Sequence, residues 1–119
     1  MALRLLIIDD DEPVLRALSK FFSGHEVHTS SDPIAGLERA LNEDFDGILI
    51  DMRMPRMGGP EVATKLIAAR PETGSKVVLL TGGDATDHTG LPAPVVWKPL
   101  SRDEVDRLVW WWEGQVDSG

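Results

Sequence analysis

Four short apolar runs, each ending on a side chain able to do chemistry, constrain this chain more than any other feature. LLII runs into Asp9, Asp10 and Asp11; GILI into Asp51; KVVLL into Thr81; and PVVW into Lys98. Short apolar runs bounded by turn signals read as buried strands. The segments between them carry helical periodicity, and strand–helix alternation signals a parallel sheet covered on both faces. In an open parallel sheet the strand C-termini line one edge, where ligands bind. Four segments are therefore expected to bring three kinds of group to one rim: acids, a hydroxyl and a cation.

Element by element, Leu3–Ile8 is the first expected strand. Pro13 suits a first helical turn, and Val14, Leu15, Ala17, Leu18, Phe21 and Phe22 carry the period as far as Gly24. Val27 marks a weaker second strand around Glu26–Thr29, and Asp32 before Pro33 caps a helix running through Leu37 and Leu41. Gly47–Ile50 is the third strand. The Met-, Pro- and Gly-rich loop 52–59 leads to a helix from Pro60 that stops before Pro71. Lys76–Leu80 and Ala93–Trp97 are strands four and five. Ser101 with Glu104 forms a capping box for a last helix that turns Val105, Leu108, Val109 and Trp112 inward. Between Thr81 and Val95 the sequence GGDATDHTGLPAP has three glycines, two prolines and no apolar stripe, so the helix expected there is shortened or missing.

A chain of 119 residues makes one domain, taken as 1–119 with a core of about 3–113. It has no cysteine, which excludes disulfides and thiolate metal sites. Its formal charge of −8 argues against nucleic-acid binding. The apolar stretch at the N-terminus is too short for a membrane span and has no cleavage site, so a cytoplasmic location and no membrane association are expected.

Adjacent carboxylates at strand ends repel one another unless a cation sits between them. Asp9, Asp10 and Asp51 supply hard oxygen ligands suited to Mg²⁺, which takes one or two carboxylates together with waters and phosphate oxygens. A cation held there neutralises a phosphoryl group in transit, while Lys98 and the Thr81 hydroxyl hold its remaining oxygens. Asp51 stands alone at a central strand end with a loop behind it, and is the expected acceptor. Asp9 and Asp10 are the metal-holding pair. Asp11 reads as a solvated acid at a helix N-terminus.

These segments resemble the receiver domain of two-component response regulators. IIDDDEPVLR looks like the family's acidic-pair segment and GILIDMRMPRMGG like its phosphoacceptor segment; VVLLTGG and VVWKP look like its Thr and Lys-Pro segments. The resemblance implies a flavodoxin-like α/β fold with five parallel strands in the order 2-1-3-4-5. It also implies transfer of a phosphoryl group from a phosphohistidine, on a histidine kinase or phosphotransfer domain, to Asp51. Asp10, Asp51 and the Arg53 carbonyl would bind Mg²⁺ directly and Asp9 through water. Lys98 would pair with the acid or its phosphate, and Thr81 would bond a phosphate oxygen. By the same resemblance, Lys98–Pro99 is a candidate cis peptide.

The departures from the family pattern are informative. Gly58 replaces the usual acidic or amide residue, and Val95 replaces the aromatic switch three residues before Lys98. With the fourth helix reduced as well, the output surface is expected to be atypical. Arg53 occupies a position where the family tunes phosphoryl lifetime, either by reaching phosphate or as a solvated loop residue. Gly83 offers no side chain to position an attacking water, so slow self-dephosphorylation is expected. Among Trp110, Trp111 and Trp112, the last is expected in the core; the first two either form an interface or cover space left by the reduced helix. Trp97 is read as packing. His25, His28 and His88 share no ligand spacing and are read as structural or solvated.

Three functions compete on this reading. The first is a phosphoacceptor that assists its own phosphorylation without being a dedicated enzyme, and relays to an unknown downstream protein. The second is a degenerate receiver acting as a phosphorylation-independent interaction module. The third, a Mg²⁺-dependent hydrolase, is disfavoured because Arg53 stands where such enzymes carry a second acid. With no output domain after Glu113, a stand-alone regulator or a piece of a hybrid kinase is expected.

Overall fold

The computed structural model describes residues 2–82 and 90–118. Five strands, β1 (Arg4–Ile8), β2 (Glu26–Ser30), β3 (Gly47–Asp51), β4 (Val77–Thr81) and β5 (Val95–Trp97), alternate with α1 (Glu12–Phe21), α2 (Pro33–Asn42), α3 (Gly59–Ala69) and α4 (Arg102–Ser118). All strand pairs are parallel, in the order β2-β1-β3-β4-β5. The fold is the flavodoxin-like one expected. Strand and helix bounds fall within a few residues of those read from the sequence, and among the described residues the one unforeseen element is a 3-10 turn at Pro71–Ser75.

Strand alternation divides the core in two. Leu3, Leu5, Ile7, Leu49, Val78 and Leu80 meet α1 and α4, while Leu6, Ile8, Ile48, Ile50, Val77 and Leu79 meet α2 and α3. With both faces covered, β1, β3 and β4 are apolar without interruption, the pattern of strands at the centre of a parallel sheet. Among the described residues no helix stands between β4 and β5; residues 83–89, including Gly83 and His88, lie outside the description.

Local sequence chemistry fixes the helix starts. Asp11 and Asp32 cap α1 and α2, their carboxylates accepting from Val14 N and Ala35 N. Ser101 caps α4 by accepting from Glu104 N, and Glu104 in turn accepts from Ser101 N, each at 3.1 Å. Trp112 anchors α4. It is wholly buried, stacks obliquely on Phe22, donates its indole N–H to Lys76 O at 3.0 Å, and lies on Gly47. A Cβ at position 47 would fall 2.4 Å from the indole, so this strand start admits only glycine against that ring. Val105 and Leu108 are buried beside Trp112, Trp111 is half-buried, and Trp110 is 76% exposed. Trp97, read as packing, stands 45% exposed. His25 is structural, its Nδ1 accepting from Leu3 N at 2.9 Å. His28 sits in a charged cluster between Glu26 and Arg39.

Candidate functional site

The strand order reverses direction between β1 and β3, which opens the crevice at their C-terminal ends. In the parallel register Ile8 faces Ile50 and Asp51 faces Leu80, so Asp9, Asp51 and Thr81 end three neighbouring strands. Thr81 is paired in register with Trp97, and Lys98 follows directly, its amide donating to Thr81 O at 2.8 Å. The expected groups therefore converge from β1, β3, β4 and β5 on one rim.

At the centre stands Lys98. Its Nζ lies 2.8 Å from Asp9 Oδ2 and 2.9 Å from Asp51 Oδ1, bridging two carboxylates that would otherwise repel. Asp9 is wholly buried, Asp51 and Thr81 are buried, and Asp10 is exposed. One oxygen of each of Asp9, Asp10 and Asp51 lies within 4.8 Å of the others. Burial raises the Asp51 carboxyl above its ordinary value, the Lys98 contact opposes this, and the charges of Asp9 and Asp10 push it up further. Burial alone would lower the Lys98 ammonium, but its contacts with Asp51 and Asp9 outweigh that and raise it. The Lys98–Pro99 peptide is cis.

Whether this donor set fits a divalent cation is tested by Asp9. Its Oδ1 accepts from Asp11 N at 3.0 Å, and its buried Oδ2 faces the Lys98 ammonium at 2.8 Å, a cation it shares with Asp51. Three clustered carboxylates thus have one ammonium, which contacts two of them, and acids this close repel unless a further cation neutralises them. The set is hard, oxygen-only and under-neutralised, which suits Mg²⁺.

The loop after Asp51 brings in further groups. Arg53 is exposed there. Arg56 adopts a positive φ of 72° and forms an ion pair with Asp32, whose other oxygen caps α2. The spacing of the sequence did not announce that pair, because Asp32 is fully accounted for as a cap. Gly59 closes the loop, its amide donating to Met52 O at 3.0 Å and its Cα lying against the Asp51 carbonyl. Asp11 stays apart from the acid cluster as the α1 cap, as expected.

Comparisons with known proteins bear on the family and the fold. The family model for the response regulator receiver domain matches residues 5–91. Response regulator MprA from Mycobacterium sp. (strain KMS) is 31% identical, the match covering 84% of this chain and 48% of the relative. Its namesake from Mycobacterium tuberculosis (strain ATCC 25618 / H37Rv) is 30% identical with the same coverage. The chain thus spans about half the length of the curated relatives it matches. The crystal structure of a CheY-like response regulator receiver domain protein from Methanospirillum hungatei JF-1 superposes over all of both chains, with a TM-score of 0.85 and 28% identity. On its sequence, its strand order and the family match, the chain belongs to the receiver domain family of two-component response regulators.

Proposed function

We propose that this receiver takes a phosphoryl group from a partner's phosphohistidine onto Asp51, in a reaction that depends on Mg²⁺. What carries the reading is the position of Lys98, 2.8 Å and 2.9 Å from Asp9 and Asp51, beside three clustered carboxylates. An Asp51 carboxylate oxygen forms the new O–P bond as the P–N bond to the imidazole breaks. The departing ring nitrogen keeps the bonding pair and takes up a proton from solvent. Lys98 loses one Asp51 oxygen and gains a phosphoryl oxygen, so its charge stays matched across the step. The Thr81 hydroxyl donates to a second phosphoryl oxygen.

Asp10 and Asp51, with the Arg53 carbonyl, would hold Mg²⁺, and Asp9 would reach it through water. When bound, the cation supplies charge neutralisation at the phosphoryl oxygens. The chain assists both its phosphorylation and its dephosphorylation without being a dedicated enzyme. Output bypasses the usual aromatic rotation, because half-buried Val95 packs on the α2–α3 side of the sheet in its place.

Incubation with Mg²⁺ and acetyl phosphate, followed by intact mass, tests the reading. One added phosphate that Asp51→Asn abolishes is expected. No gain in the wild type overturns the reading and leaves a phosphorylation-independent interaction module. The phosphorylated form is expected to persist, and a half-life of seconds would contradict the expectation drawn from Gly83.

A further inference from the structure

The loop after Asp51 holds the one non-glycine residue with a positive φ among the described residues, Arg56 at 72°; the other positive values belong to Gly24 and Gly90. Met57 N donates to Pro55 O at 2.8 Å, so Arg56 is the middle of a three-residue turn whose positive-φ form is rare and strained. Glycine meets such a φ without steric cost. An arginine standing there points to a task for its side chain, because strained residues gather where a site uses them.

That side chain is ion-paired with Asp32, and Asp32 is the fixed partner of the two. Its other carboxylate oxygen accepts from Ala35 N at 3.2 Å, and its carbonyl accepts from Gly36 N and from Ser30 Oγ, each at 2.9 Å. The same turn is joined to the strand of the acid cluster, Asp9 N donating to Ser30 O at 3.1 Å. In the order β2-β1-β3, Asp32 follows β2 and Arg56 follows β3. The pair therefore spans the end of β1, where Asp9 stands.

From Arg56 back to Arg53 the chain is stiff. Pro55 has its φ locked, and a proline biases the residue before it, here Met54, to extended backbone. Met54 is also buried in the core on the α2–α3 side. Tying Arg56 to Asp32 thus constrains the peptide plane that carries the Arg53 carbonyl.

We infer that Arg56, acting through Asp32, is a positioning residue for that carbonyl and so sets the affinity of the acid cluster for Mg²⁺. The inference rests on the proposed function, in which the Arg53 carbonyl joins Asp10 and Asp51 around the cation. The Arg56 and Asp32 side chains are 61% and 36% exposed, and so exposed a pair adds little to global stability. It orients the loop rather than holding the fold together. The same exposure limits the expected change in Mg²⁺ Kd to roughly twofold to fivefold.

Thermal melts across a Mg²⁺ series, on the wild-type 119-residue chain and its variants, test the inference. By charge alone, Arg56→Gly removes a cation from the rim and should tighten Mg²⁺, whereas Asp32→Asn removes an anion and should weaken it. Positioning predicts instead that both raise the Kd, and that the double variant raises it by less than the product of the two. Glycine suits the φ of residue 56 and asparagine keeps the α2 cap, so both should melt near wild type without Mg²⁺. Arg56→Lys, which keeps the charge, should recover part of the affinity. At saturating Mg²⁺, phosphoryl uptake from acetyl phosphate by Arg56→Gly should return to the wild-type rate. Opposite shifts in the two single variants, or an unchanged Kd in Arg56→Gly, overturn the inference and leave the proposed function standing. Uptake still slow at saturating Mg²⁺ overturns it too, since the loss then lies in the acceptor. A wild type that no Mg²⁺ concentration stabilises overturns both.

Discussion

Gly59 is the position where a single methyl group tests how the phosphoacceptor loop is held. A Cβ added there lies 2.3 Å from the Asp51 carbonyl oxygen, 3.0 Å from its carbon and 3.1 Å from Met52 Cα. Ordinary contact needs about 3.5 Å, so the overlap is about 1 Å, and every atom it meets is backbone. Overpacking costs typically ~1–3 kcal/mol, and with no side chain free to move aside the upper end applies. Gly59 is not in the left-handed region, so alanine also stiffens the unfolded chain, which offsets roughly 0.4–1 kcal/mol. The net expectation for Gly59→Ala is a loss of about 2 kcal/mol, close to a 30-fold change in the unfolding constant. With a urea dependence of about 2 kcal/mol/M, the midpoint falls by about 1 M. The neighbouring Gly58→Ala is the control. Its Cβ meets Met52 O at 3.3 Å and Pro60 Cδ at an ordinary 3.9 Å, and the change should cost under about 1 kcal/mol as the loss of a favourable cap residue. Urea denaturation followed by tryptophan fluorescence, with Trp112 as the buried probe, reads both. Because the added methyl presses on the Asp51 backbone itself, Gly59→Ala should also slow phosphoryl uptake more than Gly58→Ala does. A Gly59→Ala protein within about 0.5 kcal/mol of wild type, or less affected than Gly58→Ala, would refute the reasoning.

Glu43 sits between Arg39 and Arg4, which hold its carboxyl down to about 2 from an ordinary 4.5. A depressed folded-state value contributes stability fully above about pH 4.5 and loses it as pH falls toward 2, so Glu43→Gln should be destabilising at pH 7 and neutral below pH 2. A carboxyl titration by NMR with a midpoint near 4.5 would contradict this. Mg²⁺ at roughly tenfold excess over its Kd should stabilise the fold by about 1.4 kcal/mol; Asp10→Asn should reduce that gain and Asp11→Asn should preserve it, as thermal melts with and without Mg²⁺ will show. Gly47→Ala and Trp112→Phe should each cost roughly 2–3 kcal/mol, and because they share one contact the double variant should cost measurably less than their sum in a urea cycle.

The strand ends were legible in the sequence because their signals are local. A run such as GILI before Asp51 already contains both the burial that makes a parallel strand and the polar break that ends it. Once the strands are parallel, convergence of Asp9, Asp51, Thr81 and Lys98 follows from topology alone. Asp32, Ser101 and Glu104 were legible for the same reason, since a cap is settled within one helical turn. What stayed hidden depends on groups far apart in the chain. Arg56 reaches Asp32 across 24 positions, and Arg70 bonds the carbonyls of Ala40 and Glu43 across 30 and 27.

Asp9 shows how far local signals go. Spacing identified it as a member of an acid pair, yet its zero exposure and its contact with Lys98 follow from where β5 falls relative to β1, with two strands between them. Lys98 therefore bridges strands that are not neighbours, across the end of β3 and β4. Its position reports the sheet order itself, so removing its charge perturbs an arrangement drawn from three strand ends rather than one pair.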